Sequence, residues 1–93
     1  MFNLTNIKAL VAEGKLSEAL DLLTAYLESG KSSADDDDAW FLHGRINWQL
    51  DNRREAMNDY RKAMAINPAS PAATALEQAY RIMSFFNPDI FNP

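Results

Sequence analysis

Residues 37–70, DDAWFLHGRINWQLDNRREAMNDYRKAMAINPAS, decide the fold. Trp40 and Gly44 lie one helical turn apart, on one face of a helix, and Ala56, Tyr60 and Ala63 share a face of the next. Gly44 and Ala56 remove side-chain bulk where two backbones approach, and Trp40 and Tyr60 fill the space that remains. Asp51-Asn52 is the turn between the helices. Asn67-Pro68 ends the second one, because proline cannot continue the hydrogen-bond ladder and pushes the preceding residue out of α geometry. The stretch reads as an antiparallel helical hairpin.

The same signals extend to both sides. A first helix covers about Asn3 to Ala12, with Leu4, Ile7, Leu10 and Val11 at helical spacing and Asn3 or Thr5 as its cap. Gly14 takes a positive φ in the turn Glu13-Gly14-Lys15. A second helix runs from about Leu16 to Glu28. Its wide apolar stripe (Ala19, Leu20, Leu22, Leu23, Tyr26, Leu27) calls for neighbours on more than one side. Ser29-Gly30 ends it. The third and fourth helices cover about Ala39 to Leu50 and Arg53 to Ile66. Ser70-Pro71 opens a fifth as N-cap and first helical residue. Leu76, Ala79, Tyr80 and Met83 carry its stripe to about Phe86.

The second and fourth helices align. GKLSEALDLLTAYLESG from Gly14 lies over DNRREAMNDYRKAMAIN from Asp51, at an offset of 37 residues. A two-helix repeat has a period of about 34 residues, and the surplus falls in the Ser/Asp segment after Gly30. The expected class is all-α: antiparallel helix-turn-helix repeats, five helices as two pairs and a C-terminal capping helix, a right-handed α-solenoid fragment. One domain is expected over residues 1–93, with a degenerate repeat in 1–30, a full repeat in 37–70, a capping helix in 71–86 and an extended tail in 87–93. Such arrays need about three repeats for stability. Two pairs and one helix are therefore marginal unless the tail residues Ile90 and Phe91, or a second copy, cover exposed apolar surface.

The chain has 93 residues, nine basic and thirteen acidic, and a formal net charge of −4. The excess of acid is the run Asp35 to Asp38, so the acidity is local. That run lacks the interleaved spacing, the glycine and the distal glutamate of a calcium loop. It reads as a solvated segment whose last aspartates cap the third helix. No basic face is available to displace counterions from phosphates, so nucleic acid is not an expected partner. There is no cysteine, which excludes disulfides and thiolate metal sites and fits a reducing, cytoplasmic setting. The opening residues read as a helix and not a secretion signal, and no run approaches the roughly 20 apolar residues of a membrane span. No cofactor or metal is expected. His43 is the lone histidine, without a second ligand, and reads as a partly buried packing residue. No serine sits where a nucleophile needs to be, and an enzyme is not expected.

Residues 37–70 resemble a tetratricopeptide repeat. The family pattern W-x2-L-G-x2-Y, A-x3-F, P reads here Trp40-x2-His43-Gly44-x2-Asn47, then Ala56-x3-Tyr60, then Pro68, with Ala63 between. His43 stands in place of leucine and Asn47 in place of tyrosine, with Trp48 directly after. The N-terminal pair looks like a degenerate copy, and the last helix like a solvating cap. The resemblance implies a small stand-alone protein-interaction module, a scaffold whose first helices line a concave groove for a peptide or protein surface. Alignment puts Leu4, Lys8 and Val11 on its first wall. Phe41, Arg45, Trp48 and Gln49 fall on the second, and Ala75, Ala79 and Ile82 on the third. On one reading Phe41 and Trp48 are apolar anchors while Lys8 and Arg45 receive acidic groups. On the other, Phe41 and Trp48 are core residues of an undersized domain. Phe41 stands where such receptors of chain termini use a polar clamp residue, which speaks against that activity. The alternative function is structural: a self-capped or homodimeric unit whose tail occupies the groove.

Overall fold

The computed structural model describes residues 4–29 and 36–86. Asn3, the segment 30–35 and the tail 87–93 with Ile90 and Phe91 lie outside the described residues. The described chain forms five helices: α1 (Leu4–Ala12), α2 (Leu16–Glu28), α3 (Asp37–Gln49), α4 (Arg53–Ile66) and α5 (Ala72–Phe86), with no strand among these residues. Each helix packs chiefly on its neighbour in sequence, and the α3–α4 contact is the most extensive.

The two hairpin turns are built alike. α1 ends with Gly14 at φ 81°, where Lys15 N–H donates to Leu10 O at 2.9 Å and Gly14 N–H to Val11 O at 3.0 Å. α3 ends with Asp51 at φ 68°, where Asn52 N–H donates to Asn47 O at 2.8 Å and Asp51 N–H to Trp48 O at 3.1 Å. Both are Schellman closures, which satisfy the last carbonyls of a helix through one left-handed residue. A side chain in that conformation carries strain that glycine lacks. Asp51→Gly is therefore expected to raise stability by up to about 1 kcal/mol, read as a higher urea midpoint at unchanged slope.

Helix starts differ from the sequence expectation in two places. α3 begins at Asp37, two residues ahead of Ala39, because acids are favourable in a first turn that carries the positive end of the helix dipole. Asp36 occupies the N-cap position but makes no side-chain cap. Its carboxylate accepts from the Tyr26 hydroxyl, while Asp37 Oδ2 accepts from Asn67 Nδ2 at 3.2 Å. These aspartates tie the start of α3 to α2 and to the end of α4. α5 begins at Ala72, with Pro71 in the preceding turn, and Ser70 Oγ accepts the Ala72 N–H at 3.1 Å. Ahead of Pro68, Asn67 is extended (φ −139°, ψ 100°), the geometry that a following proline imposes.

The core falls into two clusters. Ile7, Leu23, Leu27, Leu42 and Ile46 centre the first, between α1, α2 and α3. Met57, Tyr60, Leu76 and several alanines centre the second, between α4 and α5. Trp40 packs against both. Among the described residues, six of the fourteen buried hydrophobic ones are alanine, so helix backbones approach closely and stability rests on tight contact more than on bulk.

Candidate binding clefts on helices α1, α3 and α5

Gly44 sets the distance between α3 and α4. A Cβ at this position falls 2.7 and 2.8 Å from the Tyr60 ring carbons Cε1 and Cδ1 and 3.1 Å from Ala56 O. The Tyr60 ring lies in the space glycine leaves, against Phe41, with ring centroids 5.9 Å apart. Ala56 and Ala63 are fully buried on the same face of α4, while Pro68 is exposed in the turn that follows.

Beside this contact α3 and α5 open a cleft of about 440 Å³ lined by Phe41, Arg45, Trp48, Tyr60, Ala79 and Ile82 among others. Ala75 lines it too, with Pro71, Thr74 and Gln78 on the α5 side. A second cleft of about 230 Å³ lies between α1 and α3, lined by Lys8, Val11, Ala12, Leu42, Arg45, Ile46 and Gln49. Arg45 lines both. Leu4 lines neither and packs against the first core cluster. Phe41 and Trp48 are half-buried, each packed on the second cluster while bordering the larger cleft. The Arg45 guanidinium lies 5.9 Å from the Phe41 ring centroid and that of Arg53 lies 4.9 Å from Trp48. Trp40 stands apart from the clefts, with Lys62 Nζ 4.3 Å above its ring and His43 at its edge.

Burial pushes the Tyr60 phenol above its ordinary range; the Arg45 charge opposes that shift and the Asp59 charge adds to it. The folded chain thus keeps this proton to higher pH than the unfolded chain, which releases it near pH 10. Tyr60 contributes nothing to pH dependence below that point. Above it, stability falls as pH climbs. Tyr60→Phe is expected to make the alkaline loss shallower in thermal melts taken from pH 9 to 11 (about the phenol range). The remaining slope includes Tyr26, which its hydrogen bond to Asp36 raises in the same direction.

His43 is not isolated. Its Nδ1 lies 2.5 Å from Asp59 Oδ2 and its Nε2 2.7 Å from Thr24 Oγ1. Asn47 Nδ2 donates to the same Asp59 oxygen at 2.9 Å, and Asn52 Nδ2 donates to Asn47 Oδ1 at 3.2 Å. With the ring neutral, Nδ1–H donates to the carboxylate and Nε2 accepts the threonine hydroxyl; a protonated ring donates at both ends. This network joins α2, α3 and α4 inside the molecule, with Asp59 5% and Asn47 3% exposed. The sequence held one hint of it, His43 and Asn47 a turn apart on α3. Their partners sit on other helices.

The sequence profile described as Effector-associated domain 11 matches residues 3–66. The chain belongs to that family. Membership replaces the tetratricopeptide resemblance, and the structure supplies the reason. Trp40, Gly44, Ala56, Tyr60 and Ala63 record the chemistry of a tightly packed helix pair, a physical requirement that does not by itself specify a family. The two positions that depart from the repeat pattern, His43 and Asn47, are the ones that build the buried network with Asp59. The solution NMR structure of Bacteroides fragilis protein BF1650 is similar at a TM-score of 0.84 and 33% identity, over 99% of this chain and 91% of that one. No curated protein matches. An effector-associated domain of this build is a helical module of regulatory or protein-interaction character. Among the described residues, no helix is long and apolar enough to cross a membrane.

Proposed function

We propose that this effector-associated domain is a non-catalytic interaction module that seats a polypeptide segment on the α1–α3–α5 face. The observation that carries the reading is the pair of adjoining clefts that share Arg45. Apolar walls with a few placed polar groups are the usual form of a recognition site. Phe41 and Trp48 supply rigid aromatic surface there, and Arg45 a donor fork. The family name links such domains to effectors, which supports a recruiting or regulatory role.

The chain Thr24–His43–Asp59 has the hydroxyl–imidazole–carboxylate order of a nucleophilic triad, and a structural role accounts for it better. Thr24 lies inside α2, where backbone N–H groups are already bonded within the helix. Those backbone N–H groups are therefore not free to serve as oxyanion donors, and such donors are a large part of acyl-transfer catalysis.

The test is affinity capture with the full chain, comparing wild type with Phe41→Ala, Arg45→Glu and the outer-face control Glu18→Ala. A partner held by wild type and the control, and weakened at least roughly tenfold by either cleft variant, supports the reading. A partner held equally by all four contradicts it. Mass in solution, measured with and without residues 87–93, separates this reading from a self-capped or dimeric unit.

A further inference from the structure

We infer that the segment seated on this face is acidic within an apolar sequence: it carries a side-chain carboxylate between two apolar side chains. The inference rests on the interaction reading above and names the chemistry of what is bound.

The charge on the cleft linings is of one sign. The chain carries thirteen acids against nine bases, yet the lining of both clefts holds two cations, Lys8 and Arg45, and no acid. The acids lie on other surfaces, such as Glu18, Asp21 and Glu28 of α2 and Glu55 of α4. Of the bases outside the clefts, Lys15 meets Glu13, Arg53 meets Asp51 and Arg81 meets Glu77, while Arg61 bonds Asn58 and Tyr80 and Lys62 lies over the Trp40 ring. Among the described residues Lys8 and Arg45 have no carboxylate within ion-pair reach. Arg45 instead lies over the Phe41 ring. A guanidinium held against an aromatic face, beside apolar walls, retains its donor fork for a carboxylate.

Position selects an internal acid over a chain terminus. Arg45 stands between the clefts and lines each. A segment that places its carboxylate there has chain on both sides, with one apolar side chain for the α3–α5 cleft and a smaller one for the α1–α3 cleft. A terminal carboxylate at Arg45 leaves one cleft empty.

The experiment selects a random peptide library, displayed on phage with its C-terminal ends fused to the coat protein, against the full chain and against Arg45→Glu. The expected result is enrichment of Asp or Glu flanked by apolar residues on wild type, and a swing to Lys or Arg on Arg45→Glu. A synthetic capped version of the leading peptide should weaken at least roughly tenfold on Arg45→Glu and on replacing its acid by the neutral amide. Enrichment of apolar or basic peptides, or an acidic preference that Arg45→Glu leaves intact, overturns the acidic partner while leaving a peptide-binding face. No enrichment at all overturns both. A chain that is dimeric in solution, and made monomeric by Arg45→Glu, puts a second copy on the face and also overturns the proposal.

Discussion

Asp59→Ala is expected to lower the unfolding free energy by about 3 kcal/mol. The carboxylate is the common acceptor for His43 Nδ1 and for the Asn47 amide, at 2.5 and 2.9 Å. It is almost closed to solvent, as is the His43 side chain beside it. Removing it takes the shared acceptor from both groups, leaving Asn47 Nδ2 beside His43 Nδ1 at 3.3 Å, and a lost buried partner costs more than a hydrogen bond gains. The control is a double-mutant cycle with His43→Leu. Taking out both members removes the orphaned donor on the ring, so the pair of substitutions should cost less than the sum of the two, with a coupling energy of about 1–3 kcal/mol. Urea unfolding measures it. Additive losses would show that the network is not a unit.

Gly44→Ala is expected to cost about 2 kcal/mol, although alanine is the better helix former by about 1 kcal/mol. The sign depends on what the new methyl meets. The Tyr60 ring carbons are 2.7 and 2.8 Å away, and the ring is 4% exposed and backed by Phe41. The ring must move or α4 must withdraw, and Ala56 O at 3.1 Å resists a closer fit. Overpacking of this kind outweighs the propensity gain. Tyr60→Leu removes the obstacle, so the same Gly44→Ala change should cost markedly less in that background. A stabilising Gly44→Ala would mean that the hairpin tolerates a wider spacing than the one described.

Much of the fold was legible because helix signals are local. Gly14 and Asn67-Pro68 mark their turns through backbone sterics alone, and the stripe of α2 announces neighbours on two sides. The start of α3 is less legible, because its acids read locally as caps. Their carboxylates instead reach Tyr26 and Asn67 on other helices, which no local rule encodes. The buried network was hidden for the same reason: Thr24, His43 and Asp59 meet only once three helices are stacked. Family membership was obscured because small residues facing aromatics describe close packing, not descent. At the clefts, helix register alone groups Phe41, Arg45 and Trp48 on one side of α3. It carries no information on how deep each side chain lies or which of them share a cavity. Leu4 shows the gap: its register matches that face, and its side chain packs into the first core cluster.

The central claim is that polypeptide is held on the α1–α3–α5 face. The direct measurement is amide and side-chain NMR shift mapping of the full chain during titration with its selected peptide. Shifts gathered at Phe41, Arg45, Trp48 and Ile82, together with quenched or shifted tryptophan emission, are the predicted result. Shifts gathered on the outer faces of α2 and α4, around Leu22 or Glu55, would contradict it.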